Sequence, residues 1–239
     1  MHEDGALVVE SPTWVLPSAV RAVSAPAAVE VVLAPAGAWL GKRVLDVVFS
    51  TVLLLVTLPL FLVVAAVVKL TSSGPVFFRQ QRVGRGGEDF PMLKFRTMHV
   101  GSEARLQSDP ALHELFLLGS HKIPSRLDPR VTTIGRILRR LSLDELPQLL
   151  NVLSGHMSMV GPRPVERSQF IRDYDGYEPA YVALRPGLTG LWQVSGRSKV
   201  HFPERAEMDS HYLRTCGPWI DAKIILRTPR AIVSGLGAD

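Results

Sequence analysis

Asp144 and Glu145 stand side by side in a run that is otherwise mostly apolar, Leu141-Ser142-Leu143-Asp144-Glu145-Leu146-Pro147-Gln148-Leu149-Leu150. Adjacent carboxylates can do two kinds of work. They can cap a helix, accepting from the free N–H groups of its first turn. They can also divide the labour of a nucleophile and a ligand for a divalent cation. The neighbouring cations bear on the choice. Arg136, Arg139 and Arg140 lie just upstream, and Gly161-Pro162-Arg163-Pro164 downstream is a stiff turn that presents one guanidinium. Acids bracketed by arginines suit a phosphate-rich substrate that binds with a divalent cation, because a guanidinium grips phosphate oxygens two at a time.

The elements that must position these groups follow from spacing. Leu146, Leu149, Leu150 and Leu153 recur at i, i+3, i+4 and i+7, which predicts a helix ending at Gly155, where a left-handed cap falls. Pro147 is excluded from a helix interior, so the helix is expected to begin near Asp144. Ser142 and Glu145 have the S-x-x-E spacing of a capping box. Either register sets both acids at the positive end of a helix dipole, which favours their ionised forms. Upstream, Ile134, Ile137, Leu138 and Leu141 predict a second helix, capped by Thr132 or Thr133. Val76–Gly84 reads as an extended segment leading into a turn at Gly84, Gly86 and Gly87, and Phe90–Met98 as the returning strand. Alternation puts Lys94 and Arg96 on one face of that strand. Glu166–Tyr174 reads as a helix whose end, with Asp173, Asp175 and Tyr177, is solvated. Arg185–Arg197 reads as a loop in which Gly187, Gly190 and Gly196 let the backbone approach a ligand. There Arg185 and Arg197 can clamp a diphosphate, and Trp192 or Gln193 can meet a base or sugar.

From Val47 to Val68 the chain holds 22 residues without a charge. As a straight helix this stretch reaches about 33 Å, enough to span a bilayer. Pro59 interrupts it past the middle, and Lys42 and Arg43 before it and Lys69, Arg79, Arg82 and Arg85 after it favour both ends on the cytoplasmic side. A broken helix that enters and leaves by one face satisfies both facts, with a plain spanning helix as the alternative. Hydroxyls of Ser50, Thr51 or Thr57 are expected to satisfy backbone freed at Pro59. Asp46, at the membrane edge, is expected to pair with Arg43 or a later arginine. Residues 1–38 are rich in Ala, Val and Pro and carry Glu3 and Asp4, unlike a secretory signal. They read as a disordered cytosolic tail, with a short strand near Val29–Leu33 as the alternative. Near the C-terminus, Trp219, Ile220, Ile224 and Ile225 lie beside Lys223, Arg227 and Arg230, a face for either the lipid headgroup layer or the core. The division is therefore a tail (1–38), a re-entrant helix (39–73) and a catalytic part (74–239). The chain is 46% apolar with formal charge +5, which admits nucleic acid, anionic lipid or a phosphorylated substrate as partner. Its single cysteine, Cys216, excludes an internal disulfide framework, and its seven histidines lack zinc-ligand spacing.

Three motifs carry a resemblance. The run Ser142–Pro164, SLDELPQLLNVLSGHMSMVGPRP, with Lys94-Phe95-Arg96-Thr97-Met98 and Arg185–Arg197, RPGLTGLWQVSGR, resembles the bacterial sugar transferase family over roughly residues 39–235. These are the monotopic phosphoglycosyl transferases. The resemblance implies an α+β, mostly helical fold: a re-entrant membrane helix broken at Pro59, a small cytosolic catalytic domain with a short β-hairpin, and amphipathic interfacial helices. It implies transfer of a sugar 1-phosphate from a UDP-sugar to polyprenol (undecaprenyl) phosphate, with release of UMP, at the cytosolic face of the bacterial inner membrane. Asp144 would be the covalent nucleophile and Glu145 a ligand of Mg²⁺. Lys94, Arg96, Arg140, Arg163, Arg185, Gln193 and Arg197 would contact substrate. A homodimer is left open, and nucleic acid is not an expected partner. The Leu191–Ser195 version of the loop leans towards a hexose. Thr215-Cys216-Gly217-Pro218-Trp219 departs from the family's usual Trp-Ser-rich segment, so no role is carried to it. The rival class is a non-enzymatic basic membrane anchor, which accounts for the charge and the apolar run but not for an acidic pair set among arginines.

Overall fold

The computed structural model describes residues 36–118, 123–196 and 199–234. The expected tail, including the Val29–Leu33 strand, lies almost wholly outside them. In chain order the elements are α1 (Ala36–Thr71), β1 (Phe77–Val83), β2 (Asp89–Phe95), α2 (Ser102–Ser108), α3 (Pro110–Leu118), α4 (Thr133–Arg140), α5 (Gln148–Ser154), β3 (Ser158–Val160), α6 (Arg167–Asp173), α7 (Glu178–Ala183), β4 (Gly187–Thr189), α8 (Leu191–Ser195), α9 (Glu204–Thr215) and α10 (Pro218–Ser234). Helix dominates. The strands form one antiparallel hairpin, β1 with β2, and one short parallel pair, β3 with β4.

α1 is the long apolar helix. The break expected at Pro59 is absent from it: the helix is continuous from Ala36 to Thr71 with Pro59 inside. The reason is support along one side. Asp46, Ser50, Phe61, Val64 and Val68 are buried, and Leu54 and Thr57 are half-buried between them. That is one helical stripe, turned towards the rest of the protein from Asp46 to Val68. The other faces are apolar and exposed, including Leu55, Val56, Leu62 and Val63. The hydroxyls act within their own turns: Ser50 donates to Asp46 O and Thr57 to Leu53 O, one turn back. Although its charge acts on Arg185, Asp46 makes no ion pair with an arginine among the described residues. Its Oδ1 accepts from Ser158 Oγ at 3.0 Å and from the Met159 N–H at 2.9 Å. Arg43 instead caps the C-terminus of α5, donating to Val152 O and Leu153 O at 2.6 and 2.8 Å.

Both ends of α1 are tied down. Lys42 Nζ reaches Asp221 Oδ2 at 2.6 Å and the Tyr212 hydroxyl at 3.0 Å. At the other end Arg96 donates to Ser72 O and Ser72 Oγ, both at 2.8 Å. Between them Phe61 packs on Phe95 with ring centres 4.9 Å apart, and Phe77 joins the stack. Each such aromatic pair is worth about 0.5–1.5 kcal/mol beyond its buried area.

The main core draws on Phe90 and Met92 of β2, Leu149 and Val152 of α5, Met159 and Val160 of β3, Leu191 and Trp192 of α8, Met208 and Tyr212 of α9, and Ile224 of α10. β3 and β4 approach so closely that a Cβ at Gly161 or Gly187 would overlap the facing backbone. The stretch expected as a loop, Arg185–Arg197, thus holds a strand and a short helix. Two facts explain the miss: parallel pairs need partners distant in sequence, and three-residue strands leave no alternation to read. α10 divides the two readings of its face. Ile224 is buried in the core, while Trp219, Leu226 and Val233, seven residues apart, are 82%, 79% and 66% exposed.

Candidate active site

The site is assembled from four segments. Asp144 and Glu145 sit in a 3₁₀ turn, Leu143–Glu145, just before α5. The helix therefore begins at Gln148 rather than near Asp144, with Pro147 as its N-cap. The expected capping box does not form. Ser142 makes no side-chain cap and takes a left-handed backbone, φ 56°. A non-glycine residue held there costs on the order of 1–3 kcal/mol, strain of the kind that gathers at functional sites. The turn that follows Ser142 sets Glu145 within reach of Lys94 on the hairpin. Gly155 closes α5 at φ 86°, and Thr132 caps α4 by accepting from the Gly135 N–H at 2.8 Å, both as expected.

Asn151 holds the hairpin in register with the acids. Its Oδ1 accepts from the Leu93 N–H at 2.8 Å and its Nδ2 donates to Pro91 O at 2.9 Å, so α5 pairs with the edge of β2 as a further strand would. Lys94, the next residue, then lies over Glu145 with Nζ 3.3 Å from Oε1. Arg163 reaches the same oxygen at 3.2 Å. Its turn is fixed by Tyr181, whose hydroxyl donates to Val83 O and accepts from the Val165 N–H.

The two acids differ electrostatically. Burial by itself would raise Glu145, but Lys94 and Arg163 outweigh it and hold the carboxyl at about 2. Asp144 is 7% exposed, and burial raises its carboxyl above the ordinary 3.8, against the pull of Lys94, with Glu145 pushing the same way as burial. The dipole argument thus gives the wrong direction for Asp144: desolvation exceeds what a turn of 3₁₀ helix supplies.

A cleft opens beside the pair. Lys94, Glu145 and Arg163 line it, with Arg82, Gln148, Gln169, Tyr174, Trp192, Phe202 and Arg205. The other expected contacts divide. Arg96 is buried against Ser72 at the end of α1, beyond the last residue of β2. Arg185 donates to Gly155 O at 2.9 Å, on the capped end of α5, and does not line the cleft. Arg140 is exposed and turned outward, and Arg139 takes its place: its charge acts on Asp144, while it donates to Thr97 Oγ1 at 2.9 Å and Ser125 Oγ at 3.4 Å. Gln193 does not line the cleft; its neighbour Trp192 does. Arg197 lies outside the described residues. Tyr174, expected at a solvated helix end, is 1% exposed. Arg82 and Arg205 were not expected at the site. Arg82 was legible only as a flanking charge, and Arg205 carries no sequence signal.

Glu145 lines the cleft among Lys94, Arg163, Arg82 and Arg205, and Asp144 is buried beside it without lining it, an arrangement that suits an anionic substrate. The comparisons with known proteins agree in kind. The family model described as "bacterial sugar transferase" matches residues 37–235, and the chain belongs to that family. It is 41% identical over 203 residues to the exopolysaccharide production protein ExoY of Sinorhizobium fredii, covering 83% of this chain and 88% of that one. It is 43% identical to a UDP-glucose:undecaprenyl-phosphate glucose-1-phosphate transferase of Caulobacter vibrioides, covering 82% of this chain and 70% of the relative. It is 39% identical to an undecaprenyl-phosphate galactose phosphotransferase of Salmonella typhimurium, covering 82% of this chain and 41% of the longer relative.

Proposed function

We propose that this chain is an undecaprenyl-phosphate sugar-1-phosphate transferase that works through a covalent intermediate on Asp144. Its relatives are named for transfer of glucose or galactose phosphate to undecaprenyl phosphate and for exopolysaccharide production. The observation that carries the reading is the convergence of Lys94 and Arg163 on Glu145, beside the buried Asp144.

The chemistry follows from that arrangement. An Asp144 oxygen attacks the phosphorus bonded to the sugar oxygen. The bond from that phosphorus to the bridging oxygen breaks, and UMP leaves with the electron pair. The acceptor lipid's phosphate oxygen then attacks the same phosphorus and breaks its bond to Asp144, which restores the carboxylate. Phosphoryl transfer of this kind is mainly positioning and neutralisation of charge. Arg163 and Lys94 meet the diphosphate near the acids, and Arg82 and Arg205 extend the positive lining. Burial of Asp144 keeps its phosphosugar ester from water between the two steps.

A divalent cation fits these residues. Glu145 is ionised at neutral pH, and Mg²⁺ takes one or two carboxylates together with substrate phosphates. Among the described residues no three acidic, His or Cys side chains group to hold a metal by themselves, so substrate phosphate would have to share in holding it. Glu145 would be the principal ligand, with Asp144 beside it, and the cation would supply neutralisation of the diphosphate.

The membrane reading rests on α1. A straight helix of 36 residues is about 54 Å long. Its first turns are tied to Asp221 and Tyr212, and its end to Arg96 of the same domain. A helix anchored at both ends to one domain cannot send one end across the bilayer. We therefore propose that α1 lies as one continuous helix in the cytosolic leaflet of the inner membrane, its exposed apolar faces in lipid and both of its ends on the cytosolic side. Exposed Trp219, Leu226 and Val233 with Lys223 and Arg230 on α10 meet the headgroups. The catalytic part faces the cytosol, where nucleotide sugars are.

The test is release of UMP from UDP-glucose, UDP-galactose and UDP-N-acetylgalactosamine, with and without undecaprenyl phosphate in vesicles. Sustained release with at least one donor, dependent on the lipid, is expected. No UMP from any donor overturns the reading.

A further inference from the structure

Asp209 is 2% exposed and lies on α9 one turn after Arg205. Its Oδ2 accepts from the Tyr174 hydroxyl at 2.8 Å, and its Oδ1 is buried with no hydrogen-bond partner among the described residues. A buried carboxylate without an ion pair is costly, and an apolar or amide side chain would pack there at less expense. What Asp209 touches explains its place. Tyr174 and Arg205 both line the cleft, with Phe202 and Trp192. The four form one stack. The Arg205 guanidinium lies 4.3 Å from the centre of the Trp192 ring and 5.4 Å from that of Phe202, and Tyr174 meets Phe202 edge-on at 5.2 Å. Arg205 is also tied back to Val200 O at 2.7 Å.

We propose that Asp209 is a positioning residue of the donor site: it fixes Tyr174 in the wall of the cleft, and its charge, one turn along α9 from Arg205, sets how strongly Arg205 attracts the donor's diphosphate. This rests on the reading of the cleft as the nucleotide-sugar site.

The titratable and charged groups facing Asp209 are Tyr174 at the end of α6, Tyr181 of α7 and Arg205 of its own helix; α8 brings the non-titrating Trp192 ring. Burial pushes the Asp209 carboxyl up to about 7, against the pull of the Tyr174 hydroxyl and Arg205. Its charge therefore changes across the neutral range. Ionised, Asp209 offsets Arg205. Protonated, it leaves the full Arg205 charge to the cleft. The KM for the anionic donor is then low below pH 7 and rises as pH climbs through it. The donor's diphosphate keeps its own charge over this range. The kcat, which the proposed reaction assigns to Asp144 and Glu145, does not follow the same step.

The test uses the full chain in vesicles holding undecaprenyl phosphate, with UMP release measured against UDP-sugar concentration from about pH 6 to 8.5. The wild-type KM is expected to rise roughly three- to tenfold through the step, the size of one partly screened charge. Asp209→Asn removes the titration, so its KM stays at the low-pH value throughout. Tyr174→Phe removes a hydrogen bond that favours the ionised form and moves the midpoint to higher pH. A wild-type step retained in Asp209→Asn, or turnover with a KM flat in pH, overturns the proposal. If Asp209→Asn does not fold, an unmoved midpoint in Tyr174→Phe overturns it alone. Absence of UMP release from the wild type counts instead against the donor-site reading.

Discussion

Asp144 and Glu145 adjoin in the chain yet titrate in opposite directions: burial raises the first, while Lys94 and Arg163 hold the second at about 2. One acid is therefore the more basic of the two and shielded from water, as the proposed attack on phosphorus requires, and the other stays ionised at neutral pH. This difference comes from where the cations point, since Lys94 and Arg163 both meet Glu145 Oε1.

The pH dependence of kcat/KM follows from the pair. Asp144 must be ionised to attack, so its raised value places the acid limb above the ordinary carboxylate at 3.8, with activity lost as pH falls through it. Lys94 lowers Asp144, so Lys94→Met is expected to move that limb to higher pH. Stability reports the other acid, whose shift has the opposite sign. Glu145 is depressed in the folded state, so its contribution is present above its ordinary 4.5 and lost as pH falls towards about 2. Thermal unfolding of Glu145→Gln against wild type through pH 2–5 measures that contribution: the gap is expected to narrow as pH falls.

The arginines are expected to separate. Arg163→Ala loses charge-assisted hydrogen bonds worth on the order of 1.5–3 kcal/mol, roughly a 10- to 150-fold loss in kcat/KM. Arg163→Lys recovers only part, because lysine cannot reproduce a bidentate fork. Arg139→Ala is expected to be severe and Arg140→Ala mild, since Arg139 acts on Asp144 while Arg140 faces outward. Steady-state kinetics of the four variants decides this, and equal losses at 139 and 140 would refute the placement.

Activity is expected to require a divalent cation. Excess chelator should stop UMP release and added Mg²⁺ should restore it. Glu145→Gln should raise the Mg²⁺ concentration needed for half activity by at least about tenfold, because a neutral amide is a far weaker ligand. Full turnover in chelator would rule out a metal role for Glu145.

Topology has its own test. Single cysteines at Ser11 and at Ser73, in a Cys216→Ser background, should both resist a membrane-impermeant thiol reagent in intact cells and label once the cells are opened. Labelling at Ser11 in intact cells would show that α1 crosses the bilayer.

Much of this was legible in the sequence, and the parts that were not share a cause. The leucine stripe and Gly155 predicted α5, the glycines predicted the hairpin turn, and motif order pointed to Lys94, Arg163 and the acid pair. Those features are local or sit on short rigid turns. Arg96 was misread because alternation holds only inside a strand, and β2 ends at Phe95, one residue earlier. Arg139 and Arg140 both lie off the apolar stripe, and the choice between them is made by Thr97 and Ser125 from distant segments. Nothing in the sequence announces the left-handed backbone at Ser142 or the buried Asp209, because tertiary packing imposes both. Pro59 carries a strong local signal, yet α1 stays continuous because the protein supports the helix on both sides of it.

The central claim is that Asp144 carries the sugar phosphate, and trapping that species tests it most directly. Wild-type protein incubated with a UDP-sugar labelled on the phosphate next to the sugar, without lipid acceptor, should retain one label per active site and release one UMP. Added undecaprenyl phosphate should discharge the label into lipid. Asp144→Asn, an isosteric change that keeps the fold, should retain no label and turn over nothing. Turnover near the wild-type rate in Asp144→Asn, or label mapped to another residue, would contradict the account.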